Sequence, residues 1–313
     1  MQNQPAVSVT VVSDYLGGEQ KSWDDLEATL TALSHQDFDE PIDFILLEHE
    51  AHLADMPAHL PKLLPGLRVV GCDLSGSYEM KNVGTKVAAA DLIMQLDADC
   101  IPNPGWVRSG VAAMRAHPEA AAVSGRTHYP GDSRLEKALA LLSRSFVDAG
   151  DAAEIGLLST NNMIARRSAL EAVALPEGAG PFAYRIQSDA WQRLGYTLRF
   201  EPGMHVVHDF EGWDMERDLR RQIGWTSIRI RQLDSQIVGA GIVKTLGIFS
   251  LPLFYAYRIA ESVGRSFRLT KHFGLELKHV PYLIGLATRV HALELPGMRA
   301  ALAGQDSGDS AYR

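Results

Sequence analysis

Apolar positions recur along this chain in two alternating rhythms. Short unbroken apolar runs, each the length of one buried strand, occur at Val7–Val12, Ile42–Leu47, Leu67–Val70, Leu92–Leu96 and Ala120–Ser124. Between them stand segments with helical spacing. In Ser22–Ser34, Leu26, Leu30 and Leu33 share a face, and Ser22 with Asp25 forms a capping pattern; Glu79–Ala90 and Pro104–His117 follow. Strands alternating with helices predict a mostly parallel sheet covered on both faces. Beyond Gly125 the rhythm loosens. Ser133–Asp148, Ser168–Val173 and Ser188–Leu194 read as helices, and Gly156–Ala165 as extended chain. Thr197–Phe200 and His205–His208 read as two short strands around Pro202-Gly203. From about Gly212 the pattern is helical, and the small polar residues Gln305–Arg313 read as a frayed tail. The expected regions are therefore an α/β domain over 1–211, a helical region over 212–304 and a disordered tail over 305–313.

The 313 residues suffice for one large domain or two, and 46% hydrophobic with 22% charged residues is the balance of a folded globular chain. Two cysteines, Cys72 and Cys100, give no disulfide framework and no metal-ligand spacing, which fits a reducing compartment. The N-terminal segment lacks the basic, long apolar pattern of a secretory signal. A net charge of −8 hides an asymmetry: from Arg217 to Arg299 there are 13 basic and 5 acidic residues, against 17 and 33 in the rest. Those cations are interleaved with apolar runs, which fits an anionic membrane surface better than nucleic acid. An ordinary cationic helical face accounts for them equally well. Thr245–Tyr257 is uncharged but shorter than the roughly 20 residues of a membrane span, and Pro252 interrupts it. Val280–Ala287 is shorter still, so neither reads as transmembrane.

The densest chemical signal is LIMQLDADCIPNPGW, Leu92–Trp106. A buried strand ends in Asp97-Ala98-Asp99, and Pro102, Pro104 and Gly105 stop its continuation. Strand alternation would point Asp97 and Asp99 the same way, at the carboxyl end where open sheets bind ligands. Two convergent hard oxygen donors suit Mg²⁺ or Mn²⁺ bridging to a substrate diphosphate. A solvated turn after a strand is the plainer alternative.

Six segments in order resemble glycosyltransferase family 2, inverting enzymes of the GT-A fold. VSVTVVSDY resembles the family's opening strand and loop, and LEATLTALSHQDF its first helix and Gln turn. Met80-Lys81-Asn82-Val83-Gly84 resembles an Arg-Asn-x-Gly element beside the nucleotide, and LDADCIPNPGWV the Asp-x-Asp segment. STNNMIARRSAL resembles the segment lining the acceptor side, and SDAWQRLGYTLRFEPGMHVVH the block that carries the catalytic Asp. The likeness covers roughly residues 6–230, and its tail is loosely similar to those of bacterial polysaccharide and glycolipid members. There are departures. Ser188 stands where an acidic residue is usual, and Glu48 where Asp is common. Arg221-Gln222-Ile223-Gly224-Trp225 does not meet the Gln-x-x-Arg-Trp motif of processive synthases.

The resemblance implies a GT-A fold, that is, an α/β Rossmann-like sheet with a helical C-terminal region. It implies direct displacement at the anomeric carbon of a nucleotide sugar, with a divalent metal (Mn²⁺ or Mg²⁺) and a glycan or lipid-linked acceptor. It assigns the base to Asp189. Asp99 becomes a metal ligand, with Asp97 on the ribose or a metal-bound water and His208 a further ligand or phosphate contact. Glu48, Lys81 and Asn82 would read the base and ribose. Arg220, Arg221 and Trp225 would close over the diphosphate, and Asn161 and Asn162 would face the acceptor. Structural alternatives stand beside these roles: Ser188 and Asp189 as helix caps, the arginines as a solvated face, the asparagines as a turn. The expected location is cytoplasmic, peripheral on the inner face of the membrane, with no nucleic-acid partner. Two rival readings remain. A degenerate fold would bind nucleotide sugar or a partner without turnover. A haloacid dehalogenase-type phosphohydrolase would use Asp97 as nucleophile, but that class carries its motif on the first strand, and here it is on the fourth.

Overall fold

The computed structural model describes residues 4–13, 23–73, 76–208 and 212–306. Ser22 of the expected capping pattern, Asp14 and Tyr15 of the opening loop and most of the polar tail lie outside these residues. The chain divides into two compact units. The first comprises Met1–Pro130, Phe146–Glu177 and Ala183–Asp209, and the second Gly131–Ser145, Gly178–Phe182 and Phe210–Arg313. The strands are β1 (Val7–Val12), β2 (Ile42–His49), β3 (Arg68–Cys72), β4 (Leu92–Asp97), β5 (Ile101–Pro102), β6 (Ala120–His128), β7 (Ala153–Glu154), β8 (Asn162–Arg166) and β9 (Thr197–Val207). The helices begin with α1 (Asp24–Ser34), α2 (Glu50–Leu53), α3 (Leu60–Leu63), α4 (Ser77–Val87), α5 (Trp106–Ala116), α6 (Arg134–Arg144), α7 (Arg167–Ala172) and α8 (Ala183–Arg193). They continue with α9 (Trp213–Leu233), α10 (Ala240–Leu246), α11 (Leu251–Leu269), α12 (Val280–Ala292) and α13 (Leu295–Leu302).

Among the described residues the first unit holds one nine-stranded sheet, in the order β3-β2-β1-β4-β8-β6-β9-β5, with β7 on β9. Strands β1 to β4 pair in parallel. Strand β8 runs against both β4 and β6, and β5 and β7 run against β9. The sheet is mixed rather than mostly parallel, because an apolar run marks a buried strand without recording its direction. Alternation along β1 divides the core. Val7, Val9 and Val11 pack with Leu26, Leu30 and Leu33 of α1 and with Trp106 and Val111 of α5. The opposite face joins Ile45 and Leu47 to Met80 of α4, Leu170 of α7 and Trp191 of α8. The two strands expected around Pro202-Gly203 are one. Pairing of β6 with β9 passes from Gly125↔Glu201 directly to Arg126↔His205, so Pro202, Gly203 and Met204 form a bulge within β9.

The second unit is helical. Helix α6, expected in the first region, belongs to it. Ser133 and Glu136 form a capping box at its start, and its Leu139 and Leu142 join a core with Leu275, Leu283 and Val290. Helices α9 and α13 cross with backbones in contact. A Cβ on Gly224 would lie 1.9 Å from the Glu294 carbonyl oxygen, and one on Gly297 would lie 1.9 Å from that of Arg221. The helical run Ala240–Leu269 is long and apolar enough to cross a membrane by length and composition alone. It exceeds the expected short segment because Pro252 does not break it. Pro252 falls in the first turn of α11, where the missing N–H has no intrahelical partner to lose.

The interior of this unit contains a charge network. Glu294 is fully buried and accepts from Arg258 at 3.1 and 3.2 Å and from His291 Nδ1 at 2.9 Å. Arg220 Nη1 lies 3.5 Å from the same carboxylate, and its Nε donates to Glu216 at 2.6 Å. Burial alone would raise the Glu294 pKa, but Arg258 and His291 outweigh it and hold it at about 2, against an ordinary 4.5. Burial lowers the His291 pKa, so near neutral pH its Nδ1–H donates to Glu294 and its Nε2, 2.8 Å from the Ser262 hydroxyl, accepts.

Two outcomes follow for stability. Gly297→Ala should cost about 2–4 kcal/mol in urea denaturation, since α9 must move away from α13. Both shifted groups take up protons more readily in the unfolded chain, so stability is greater near neutral pH and falls on acidification. The loss begins as pH falls below the unfolded His value of 6.5 and continues from 4.5 toward 2, where Glu294 contributes about 3 kcal/mol. Thermal melts across this range should fall on acidification, and the limb below 4.5 should be shallower in Glu294→Gln.

Candidate active site

The site forms at the carboxyl end of β4. The strand ends at Asp97, and the chain turns at once: Cys100 N donates to the Asp97 carbonyl at 3.0 Å. The turn is fastened from three sides. Ala98 N donates to the Val12 carbonyl of β1 at 2.9 Å, and Asp97 N to the Asn161 carbonyl at 3.3 Å. The buried Thr29 hydroxyl of α1 lies 2.7 Å from the Ala98 carbonyl and 3.3 Å from that of Cys100. A polar residue on the apolar face of α1 is thereby satisfied, and it fixes where the two carboxylates sit. Asp99 thus leaves the strand, and a turn, rather than strand alternation, sets its direction.

Around this turn the first unit gathers several chemical groups. Asp99 Oδ2 lies 3.2 Å from His208 Nε2, and Asp99 Oδ1 accepts from the Cys100 thiol at 3.3 Å. His208 follows the end of β9, and its N–H donates to the His128 carbonyl at 2.9 Å. The ligand atoms of Asp99, Cys100 and His208 all lie within 4.8 Å of one another. A carboxylate oxygen, a thiol and an imidazole nitrogen are donor types that divalent ions take. The donor set therefore fits a divalent ion. The cysteines were expected to have no ligand role because their spacing fits none, yet the fold brings Cys100 to His208 from 108 residues away. Its adjacency to Asp99 was the available signal.

Lys81, on α4, is almost wholly buried, and its Nζ lies 2.7 Å from Asp97 Oδ1 and 3.4 Å from Thr160 Oγ1. The Tyr78 ring centroid is 5.2 Å from the same nitrogen. Burial pushes the Asp97 carboxyl pKa up. Lys81 opposes this, the Asp99 charge adds to it, and the net shift is upward. Asp97 and Asp99 are thus electrostatically linked, as two carboxylates sharing a site must be.

Residues 20–174 match the model of a family described as Glycosyl transferase family 2. The chain carries a domain of this family. The match takes in Glu48, Lys81, Asn82, Asp97, Asp99, Asn161 and Asn162, while Asp189 and His208 lie beyond it. No curated protein sequence matches the chain. Among solved structures it is similar to a mannosyltransferase, PcManGT from Pyrobaculum calidifontis, in complex with GDP-Man and Mn²⁺. That likeness has a TM-score of 0.61 and 15% identity, and covers 97% of this chain and 89% of that one. It is also similar to S. aureus TarS 1-349 in complex with UDP-GlcNAc, with a TM-score of 0.51, 14% identity and coverage of 96% and 92%. At these identities the likeness establishes the fold, which is the GT-A-like arrangement of the family.

The remaining candidate residues take different places. Asp189 lies on the seventh residue of α8, held by Arg185 Nε at 3.0 Å. Neither it nor Ser188 caps that helix, because α8 begins at Ala183, earlier than expected. Ser188 is buried and its hydroxyl accepts from Leu158 N at 3.3 Å. Glu48 is buried at the end of β2, where Oε1 accepts from His49 N at 2.7 Å. Asn82 ties α4 to Leu175 through paired bonds of 2.9 and 3.0 Å. Asn161 donates to Thr127 Oγ1 at 3.3 Å and to Cys100 Sγ at 3.5 Å, beside the turn. Asn162 is fully buried. Its oxygen accepts from Trp106 Nε1 at 2.7 Å, and its nitrogen donates to the Arg126 and Met204 carbonyls at 3.0 Å. Its side chain is thus used inside the protein rather than turned to an acceptor. In the second unit, Arg220 is neither solvated nor free for a diphosphate: Glu216, Glu294 and Ser143 take its guanidinium. Arg221 is exposed, and Trp225 Nε1 donates to the Gln305 carbonyl at 2.9 Å.

Replacing Lys81 by Met removes the cation that opposes burial of Asp97. NMR titration of the side-chain carboxyls should place Asp97 higher in Lys81→Met than in the parent chain. An unchanged titration would mean that Lys81 does not control this charge.

Proposed function

We propose that this chain moves a sugar from a nucleotide-sugar donor to an acceptor hydroxyl with inversion. The single observation that carries the reading is the Asp99–His208 pair at the end of the sheet, in a chain that carries a family 2 domain. Asp99 and His208 would hold a divalent ion, Mn²⁺ or Mg²⁺, with the Cys100 thiol beside them. Such an ion, when bound, neutralises the charge that builds on the departing diphosphate. The structural neighbour that carries GDP-Man and Mn²⁺ supports the same pairing of donor and ion. Asp97, paired with Lys81 at 2.7 Å, would accept a hydrogen bond from a ribose hydroxyl.

In the transfer itself the acceptor oxygen bonds to the anomeric carbon as the bond from that carbon to the diphosphate oxygen breaks. The acceptor proton passes to the Asp189 carboxylate, and the leaving electron pair stays on the nucleoside diphosphate. Arg185, one turn before Asp189 on α8, orients that carboxylate. Glu48 and Asn82 would support the base and ribose side, and Asn161 the acceptor side. Asn162 would act indirectly, through the Trp106, Arg126 and Met204 contacts it makes. The acceptor class is a glycan, glycolipid or lipid-linked intermediate, met in the cytoplasm at the inner face of the membrane.

Asp189→Asn separates this reading from a protein that only binds. Nucleoside diphosphate release, measured over a panel of nucleotide sugars with candidate acceptors, should fall roughly 10²- to 10⁴-fold, the usual contribution of a general base. Donor affinity should stay within a few-fold. Release unaffected by the substitution would remove Asp189 from the chemistry.

A further inference from the structure

The helical run Ala240–Leu269 is built inside out. Phe249 is 78% exposed, Leu253 53%, Tyr257 55% and Phe267 59%. Between them the outward positions hold only Pro252, Ala256, Ala260 and Gly264, so the spacing of three and four gives one uncharged stripe along α11. Ile242 and Leu246 of α10 are exposed as well. The inner face of α11 carries the charges. Arg258 pairs with Glu294, Arg265 pairs with Glu261 at 2.5 Å, and Ser262 bonds His291. A surface helix of a water-facing protein has the reverse arrangement. An apolar stripe of this length on a folded surface marks a place of interaction.

The charges around the stripe identify the partner. Exposed Lys244 lies toward one end of it, and exposed Arg268 and Lys271 toward the other. Over residues 235–293 the exposed acidic side chain is Glu276, paired with Lys278 at 2.6 Å. A stripe of aromatic and aliphatic groups ending in unopposed cations is complementary to acyl chains beneath a layer of phosphates. The same layout separates lying on a bilayer from crossing it. A crossing helix would carry Arg258, Glu261 and Arg265 to hydrocarbon depth, whereas here they are engaged inside the helical unit and one face alone is outward.

We propose that the outward face of residues 240–269 lies flat in the interface of an anionic lipid bilayer. Phe249, Leu253, Tyr257 and Phe267 sit roughly 5–10 Å deep among the upper acyl chains, and Lys244, Arg268 and Lys271 rest on lipid phosphates. This deepens the membrane placement proposed above and does not depend on the donor site.

Flotation of the full chain with vesicles tests it. Vesicles of phosphatidylglycerol with phosphatidylethanolamine should carry the protein, and pure phosphatidylcholine should carry it far less. High salt should release it without detergent. Phe249→Glu with Leu253→Glu, both exposed and outside the catalytic machinery, should lower binding about tenfold or more while the protein keeps its fold by circular dichroism. Nucleoside diphosphate binding, measured on the same samples, should be unchanged; its absence in parent and variant alike would count against the donor site and leave this surface standing. Failure to float at low salt, or equal flotation of the variant, would overturn the proposal. So would release by detergent alone, which would assign a spanning helix. Self-association without lipid that the variant abolishes would assign the face to a second copy of the chain.

Discussion

The hydroxyl of Thr29 bonds the carbonyls of Ala98 and Cys100, and the candidate site depends on that contact. It holds the chain in a turn directly after β4, with β1 gripping Ala98 from one side and Asn161 meeting Asp97 from the other. Within four residues the turn presents Asp97 to a buried lysine and Asp99 to a histidine. A site assembled this way is rigid where it must place two carboxylates, since each anchoring group is itself buried in the core around the sheet. Chemistry at the sheet end therefore rests on packing beneath it.

The electrostatics of the turn divide the work between its two acids. Asp97 faces inward to Lys81, and burial makes its charge costly enough that the ammonium group is needed beside it. Asp99 faces His208 and the Cys100 thiol, a mixed donor set that accommodates a cation. The family 2 domain and the likeness to GT-A structures give this arrangement its context.

Much of this was legible in the sequence. The run Val7–Val12 needed only its apolar continuity to be read as β1, and the Asp-x-Asp segment stood out because a strand stopped there so abruptly. What was not legible depended on distant partners. Cys100 becomes part of a donor cluster only when β9 delivers His208 beside it. Arg220 looks like one more cation on a basic helix until α13 brings Glu294 against it. The bulge in β9 looked like a break between two strands, because Pro202-Gly203 carries a turn signal whether or not the strand resumes. Pro252 looked like an interruption because its place in the first turn of α11 depends on where that helix begins. The helical unit adds an inverted pattern. Its charges are satisfied inward and its apolar groups outward, so composition alone gave its basic and apolar character but not which way either faced.

The central claim is that the turn after β4 forms a metal-assisted donor site. Isothermal titration of the purified chain with a panel of nucleoside diphosphates, with and without Mn²⁺, tests it most directly. One nucleotide should bind with clear dependence on Mn²⁺, and Asp99→Ala should abolish this dependence while the protein remains folded. Binding that is indifferent to the ion, or that survives Asp99→Ala unchanged, would contradict it.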